Sequence, residues 1–404
     1  MDQERRLSTF EEIIDSENLF NAFLKARKGK GRTGPVSRFD FHCDTFLWEL
    51  QKELAEKTYL PGKYVSFRIR YPKPRLITAA PFRDRVVHHA LCAVIAQLFE
   101  SRFLPCSFAN RPGFGTHRAF RSARRSCREY TYVLKCDVKR FFPSIDHEIL
   151  KRMVRDVVGD EDTLGLIDTL IDAESGCESY DNQTGSMPLF DSLRRRGIPI
   201  GNLTSQFFAN IYLNGLDHFV VEALECAPYI RYVDDFLLFG ASKQELGSFR
   251  EAIRQYLRSI RLVLHEKKQE IFPVRNGVDF LGYRITPRGV RVRKSNVRTF
   301  QKRTKARIAH YRQGKLPLEK ISEGVRSWIA HARHADSYRL REVILNRIVV
   351  EGGGPLPDGP WRGVEQYQRE QLPVRVSQQQ QSEQPQQQHR VSCGAPLQAL
   401  VPGS

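Results

Sequence analysis

The stretch Tyr232-Val233-Asp234-Asp235 decides how the rest of this chain is read. It sets two adjacent carboxylates at a turn between two apolar runs, Tyr229 to Val233 and Phe236 to Phe239, the pattern of a β-hairpin with acid at its tip. Adjacent carboxylates repel each other unless a cation lies between them, and hard oxygen ligands of this kind suit Mg2+. A solvated Asp-Asp turn has the same four residues, so the choice depends on what else in the chain converges on the hairpin.

Composition narrows that choice. A chain of 404 residues with 41% hydrophobic content can fold as two or three domains around an ample core. Its formal net charge of +18 calls for an acidic polymer as partner. Nucleic acid stands ahead of an anionic membrane, because no long uninterrupted apolar run is present. Met1 to Arg6 opens acidic and polar, unlike a secretion signal, and the expected location is the cytoplasm of a bacterial, archaeal or phage-infected cell. The eight cysteines are scattered with no Cys-x-x-Cys pair, which reads as reduced thiols.

Upstream of the hairpin, helical spacing runs from Thr9 to Lys28 and again from Asp44 to Glu56. A basic run, Lys25 to Arg32, fits either a phosphate-facing arm or a solvated loop. Val65 to Tyr71 alternates as a strand, and with Leu76 to Ala79 it makes a hairpin bearing Lys73 and Arg75 near its tip. Such cations can fold down over a triphosphate, arginine holding its oxygens bidentately. Phe108 to Thr116 reads as a Gly-rich loop able to cradle a phosphate, followed by a basic helix, Ala119 to Arg128. A strand over Tyr130 to Asp137 ends in a third carboxylate, which serves a two-metal site if that strand lies beside the Asp234 hairpin.

Gly197 to Gln206 opens a long amphipathic helix. Gly201 there lets a base pair approach the backbone closely, the alternative being an ordinary helix start capped by Asn202 or Thr204. After the hairpin come a helix, Lys243 to Ile260, the segment Leu262 to Lys268, and a strand and turn at Phe280-Leu281-Gly282-Tyr283. Arg288 to Arg341 is dense in Lys and Arg with Ile321, Val325, Trp328 and Ile329 at helical spacing, a small basic helical domain with a backbone-tracking surface. From Glu351 the chain turns Gly/Pro-rich and then Gln-rich, the composition of disorder.

With Asp137, Gly201 and Asp234-Asp235 in this order, the chain resembles the reverse transcriptases from about Arg70 to Tyr283. The resemblance implies an α+β right-hand polymerase fold: N-terminal helices and fingers with part of the palm over 1–130, a ferredoxin-like palm over 131–285, a basic helical thumb over 286–350 and a disordered tail over 351–404. It implies catalysis at Asp137, Asp234 and Asp235, which with the Val138 carbonyl would hold two Mg2+ ions, Mn2+ being able to substitute. Lys73, Arg75, Phe142, Ile200, Gly201 and Lys268 would contact the incoming dNTP, and Phe280, Leu281, Gly282 and Tyr283 would form the primer grip. Within the family, Ile198-Pro199-Ile200-Gly201-Asn202-Leu203-Thr204-Ser205-Gln206 resembles the form found in diversity-generating retroelements, which copy a template RNA with errors at adenines. Most other members have Gln before this glycine. Pro72 to Arg75, Phe141 to Asp146 and Ser327 to Ala332 resemble that group too. Reverse transcriptases of bacterial defence systems, or those joined to CRISPR adaptation proteins, carry similar blocks. A basic pentameric accessory variability protein is the partner the resemblance implies, besides template RNA and cDNA.

Two rivals remain at this level. An RNA-dependent RNA polymerase places a second aspartate five residues after the first, to recognise the ribose 2′-hydroxyl; here that position is Phe142, whose ring favours deoxynucleotides. A non-catalytic RNA-binding protein on a degenerate polymerase fold is opposed by the survival of all three carboxylates and the triphosphate cations.

Overall fold

The computed structural model describes residues 8–30, 33–69, 74–173 and 194–348, in two compact units, Met1–Arg293 and Lys294–Ser404. Lys73, residues 174–193 and the Gly/Pro/Gln-rich tail lie outside the described residues.

Capping chemistry sets the N-terminal layer. The helical pattern from Thr9 to Lys28 is two helices, Thr9–Ile14 and Ser16–Arg27, because Asp15 turns its carboxylate onto the amides of Glu17 and Asn18 at 2.9 and 3.1 Å. A short helix that the apolar spacing did not suggest, Gly34–Phe41, precedes the expected one at Cys43–Ala55. These pack Phe10, Leu19, Phe23, Phe39 and Leu50 against the long helix Phe82–Glu100. The basic hairpin consists of β1 (Val65–Ile69) and β2 (Arg75–Ala79), antiparallel with Ile69 opposite Arg75.

The central sheet has the order β4-β5-β3-β6, built from β3 (Tyr132–Val138), β4 (Tyr229–Tyr232), β5 (Asp235–Gly240) and β6 (Leu264–Pro273), all neighbours antiparallel. Helices lie between β3 and β4 and between β5 and β6, so the connectivity is that of a split βαβ, or ferredoxin-like, unit. Side chains alternate across β3 and β5: Leu134, Cys136, Val138, Phe236 and Leu238 enter the large core with the helices Leu203–His218 and Lys243–Ser259. Asp137 and Lys135 point to the other face. Burial pushes the thiols of Cys127, Cys136 and Cys226 up to about 12, which leaves them protonated and unreactive at neutral pH.

A smaller sheet follows, β7 (Val278–Phe280), β8 (Tyr283–Thr286) and β9 (Gly289–Val292). The helical part of the chain therefore begins at Lys294 and not at 286. Val290 and Val292 are buried while Arg291 between them is exposed, a period of two that overrides the basic composition. The second unit contains helices Lys294–Arg312, Leu318–Ala332 and Tyr338–Leu345, with Phe300 stacked on Trp328 at 4.2 Å between ring centroids. Among the described residues no helix is long and apolar enough to cross a membrane.

Candidate active site

The three carboxylates meet through strand register. Tyr232 pairs with Asp235, leaving Val233 and Asp234 as the two-residue turn, and Asp137 on β3 lies directly opposite Asp235 on β5. The Val138 amide donates to the Asp234 carbonyl at 3.2 Å, tying the end of β3 to the turn. Val233 has φ of 60°, a left-handed conformation that costs a β-branched residue about 1–3 kcal/mol and persists only where its surroundings hold it.

Two lysines already answer the acidic charge. Lys268 on β6 places its Nζ 2.9 Å from both oxygens of Asp137, and Lys135 places its own 3.5 Å from Asp235. Burial and the charge of Asp137 raise the Asp234 carboxyl above its usual range, with Arg75 and Lys268 pulling the other way. Burial, with Asp137 and Asp234 beside it, lifts Asp235 to about 6 against the opposing charge of Lys135. Asp235 Oδ1 is buried with no hydrogen-bond partner among the described residues. Among the described residues no three His, Cys, Asp or Glu side chains are drawn together as ligands of one ion. The donor set still fits a hard divalent cation: it is all oxygen, it contains an unpaired buried carboxylate oxygen, and its members repel one another.

Backbone hydrogen bonds bring three distant segments to one edge of this site. The Phe142 carbonyl accepts from Ile198 N at 3.0 Å, and the Ile200 carbonyl accepts from Thr78 N at 3.1 Å, so the segments carrying Phe142, Ile200 and Gly201, and Arg75 run side by side. Arg75 is exposed at the start of β2, and its charge is felt at Asp234. Gly201 has a reason of its own: at φ +127° a Cβ would stand 2.9 Å from Ile77 Cγ2. The close approach is thus made by the hairpin strand. Asn202 stands at the helix start, but its side-chain oxygen accepts from Ala80 N at 3.1 Å in place of capping the helix.

Two expectations change. Phe280 and Tyr283 are core residues, Tyr283 lying 4.5 Å from Phe120 ring to ring, so a primer grip here could use only the Leu281-Gly282 turn between them. Both turn residues have positive φ, as the tight β7–β8 connection requires. The Gly-rich loop is not an open phosphate cradle. Arg111 fills it, bonding Glu100 and the carbonyls of Leu104 and Ser107, while the Phe108, Phe114 and Gly115 amides bond within the protein.

Behind the turn lies a network that pattern reading missed. Arg231 is fully buried and makes a fork with Asp217: Nε donates to Oδ1 at 2.7 Å and Nη2 to Oδ2 at 2.5 Å. The same guanidinium donates to Asn210 Oδ1, to Ser107 Oγ and, at 3.2 Å, to the carbonyl of the strained Val233. The signal was present as a cation inside an apolar strand and an acid, Asp217, inside an apolar helix, since such residues are almost never fully buried unless paired.

The segment that carries these residues also resembles known proteins. Residues 70–285, just over half of the chain, match the family model described as reverse transcriptase (RNA-dependent DNA polymerase). The chain is 26% identical to Protein YkfC of Escherichia coli over 276 residues, covering 58% of this chain and 70% of that one. It is 22% identical to the group II intron-encoded protein LtrA of Lactococcus lactis over 340 residues, 67% of this chain and 54% of LtrA. A truncated apo telomerase from Candida Tropicalis aligns at a TM-score of 0.43 and 15% identity over 61% of this chain and 60% of that one, a likeness too distant to argue from.

Proposed function

We propose that this chain, which belongs to the reverse transcriptase family and has its right-hand polymerase fold, copies template RNA into cDNA, and does so with low fidelity as a member of the diversity-generating group. The observation that carries the first part is the register that sets Asp137 beside the Asp234-Asp235 turn at one end of the palm sheet. In this reading the segments before 131 supply the fingers, the four-stranded sheet is the palm and the three helices from Lys294 are the thumb.

Asp137 and Asp234 would hold the Mg2+ ions, with Asp235 and the Val138 carbonyl as further ligands. The ions supply a more acidic primer hydroxyl and charge neutralisation at the leaving pyrophosphate. The chain's residues do the rest. Arg75 and Lys268 bind and orient the triphosphate, Lys268 exchanging its hold on Asp137 for phosphate oxygens. The segment Ile198–Gly201 backs the nascent base pair, and Phe142 excludes a 2′-hydroxyl. One P–O bond forms at the primer 3′-oxygen as that to pyrophosphate breaks. Asp234→Asn tests the assignment: primer extension on RNA should fall more than about 100-fold, beyond what loss of an outer-shell partner costs, with RNA binding kept. Unchanged extension sinks it.

The low-fidelity reading is supported by Ile200. Where most of the family has an amide able to report on base-pair geometry by a hydrogen bond, an isoleucine offers only apolar contact and should penalise a mispair less. A tenfold change in discrimination needs about 1.4 kcal/mol, within reach of one hydrogen bond. Ile200→Gln should lower misincorporation opposite template adenine. Sequencing cDNA from both enzymes decides, and an equal error rate refutes it. The likeness to LtrA favours a second reading, an intron-encoded enzyme; near-identical repeats in the neighbouring DNA that differ mainly at adenines would choose the first. A basic pentameric accessory protein is the partner that goes with it.

A further inference from the structure

The helix Thr116–Glu129 carries a line of arginines that the catalytic reading leaves unused. At 100° per residue, Arg118, Arg121, Arg125 and Arg128 fall within an arc of about 80°, centred opposite the buried residues Ala119, Phe120, Ala123, Ser126 and Cys127. All four are exposed. Arg125 pairs with Glu129 at 3.0 Å and Arg118 lies over the Phe114 ring at 4.1 Å, but Arg121 and Arg128 have no ion-pair partner among the described residues. Neighbouring arginines are thus about 5–6 Å apart along a straight line of about 15 Å. The line starts beside the catalytic hairpin, where Thr116 Oγ1 and Tyr232 Oη are 3.0 Å apart. It then runs back along β4: just past the helix's other end the Tyr130 hydroxyl donates to the Ala227 carbonyl, ahead of the start of that strand.

We propose that this arginine line is a docking face for the phosphate strand of a duplex RNA stem, a folded part of the template that is held while another part is copied. The proposal rests on the reading of the chain as an RNA-copying enzyme. A single-stranded site interleaves its cations with exposed aromatic rings on which bases stack. Here Phe120 is turned into the core and the helix's exposed ring is the imidazole of His117 at the hairpin end, so from Arg121 to Arg128 the face can read backbone and not bases. Duplex RNA offers that chemistry, a regular line of phosphates contacted without base readout. Arginine forks bind phosphate without any change in the fold.

The test replaces Arg118, Arg121, Arg125 and Arg128 together by Gln, and separately by Lys, in the full chain. Because all four are exposed and Gln is a good helix former, folding should be kept, as checked by the thermal midpoint. Binding of an RNA stem-loop is measured against salt, and extension on a short unstructured RNA template is measured beside it. The Gln variant should bind the stem at least about tenfold more weakly, with the slope of log K against log salt flattened by about 3.6 for four lost contacts. The Lys variant should recover most of that loss, and extension on the short template should stay at the wild-type level. Unchanged stem binding overturns the proposal. Equal losses on a DNA duplex of the same length overturn the RNA assignment. Stem binding kept while extension on the short template shortens would assign the line to the product duplex instead, and overturn it as well. Loss of the Asp234-dependent extension activity in the wild-type chain itself is a separate failure, that of the catalytic reading.

Discussion

Replacing Arg231 by Met should damage stability and catalysis by different amounts, and the difference identifies what this residue does. The side chain makes five hydrogen bonds, two to Asp217 and one each to Asn210, Ser107 and the Val233 carbonyl. Removing it strands the Asp217 carboxylate with, among the described residues, only the Tyr229 hydroxyl, at 3.0 Å, in a site with no exposure. Breaking a buried pair on one side costs about 3–5 kcal/mol, a large share of the roughly 5–15 kcal/mol that holds a domain folded. Adding Asp217→Leu removes the orphaned charge and should return about 1–4 kcal/mol. It cannot return the donor to the Val233 carbonyl, which steadies a turn strained by about 1–3 kcal/mol. A hydrogen bond from a charged donor is worth about 1.5–3 kcal/mol, so the double variant should melt near the wild type yet extend primers about 10- to 100-fold more slowly. Urea melts and single-turnover extension on one preparation measure both. If the double variant recovers stability and rate together, Arg231 supports the core and does not position the carboxylates.

Phe142→Ala should raise ribonucleotide use relative to dNTP use by about tenfold, equivalent to about 1.4 kcal/mol; an unmoved ratio removes Phe142 as the gate. Gly201→Ala should cost about 2 kcal/mol or more in a denaturant melt, from positive φ and the 2.9 Å approach to Ile77. Adding Ile77→Ala should relieve the steric part alone, and a fully stable Gly201→Ala would show that neither matters. His88 is buried with both ring nitrogens unpartnered among the described residues, and burial, with His89 and Arg85 nearby, lowers its pKa from 6.5 to about 3. The unfolded chain therefore takes up a proton that the fold refuses, and stability should fall by up to about 1.4 kcal/mol per pH unit as pH drops from 6.5 towards 3. His88→Leu should flatten that part of the pH profile of the melting temperature, and an identical profile would contradict the assignment.

The palm was legible because its signals are local and mutually consistent. Apolar runs mark β4 and β5, acids stand where β3 ends and β5 begins, and helical spacing fills the gaps between. What escaped was whatever depends on partners far along the chain. The break at Asp15 needed knowledge that its carboxylate turns to amides ahead of it. The reason for Gly201 lies in Ile77, and the fate of Arg231 lies in Asp217; neither partner can be deduced from spacing. The burial of Phe280 and Tyr283 was not legible because a turn motif says where the chain reverses and not which face of it is covered. Composition misled at 286–293, where basic residues occupy the exposed positions of a strand.

Lys268 on Asp137 and Lys135 on Asp235 have a consequence for how the protein matures. Small metallo-domains whose ligand groups have no other partner fold only with the ion bound, and chelators unfold them. Here two of the three carboxylates have their own ammonium partner built into neighbouring strands of the same sheet. The sheet can therefore fold with these acids already answered, and a chelator should leave its melting temperature unmoved.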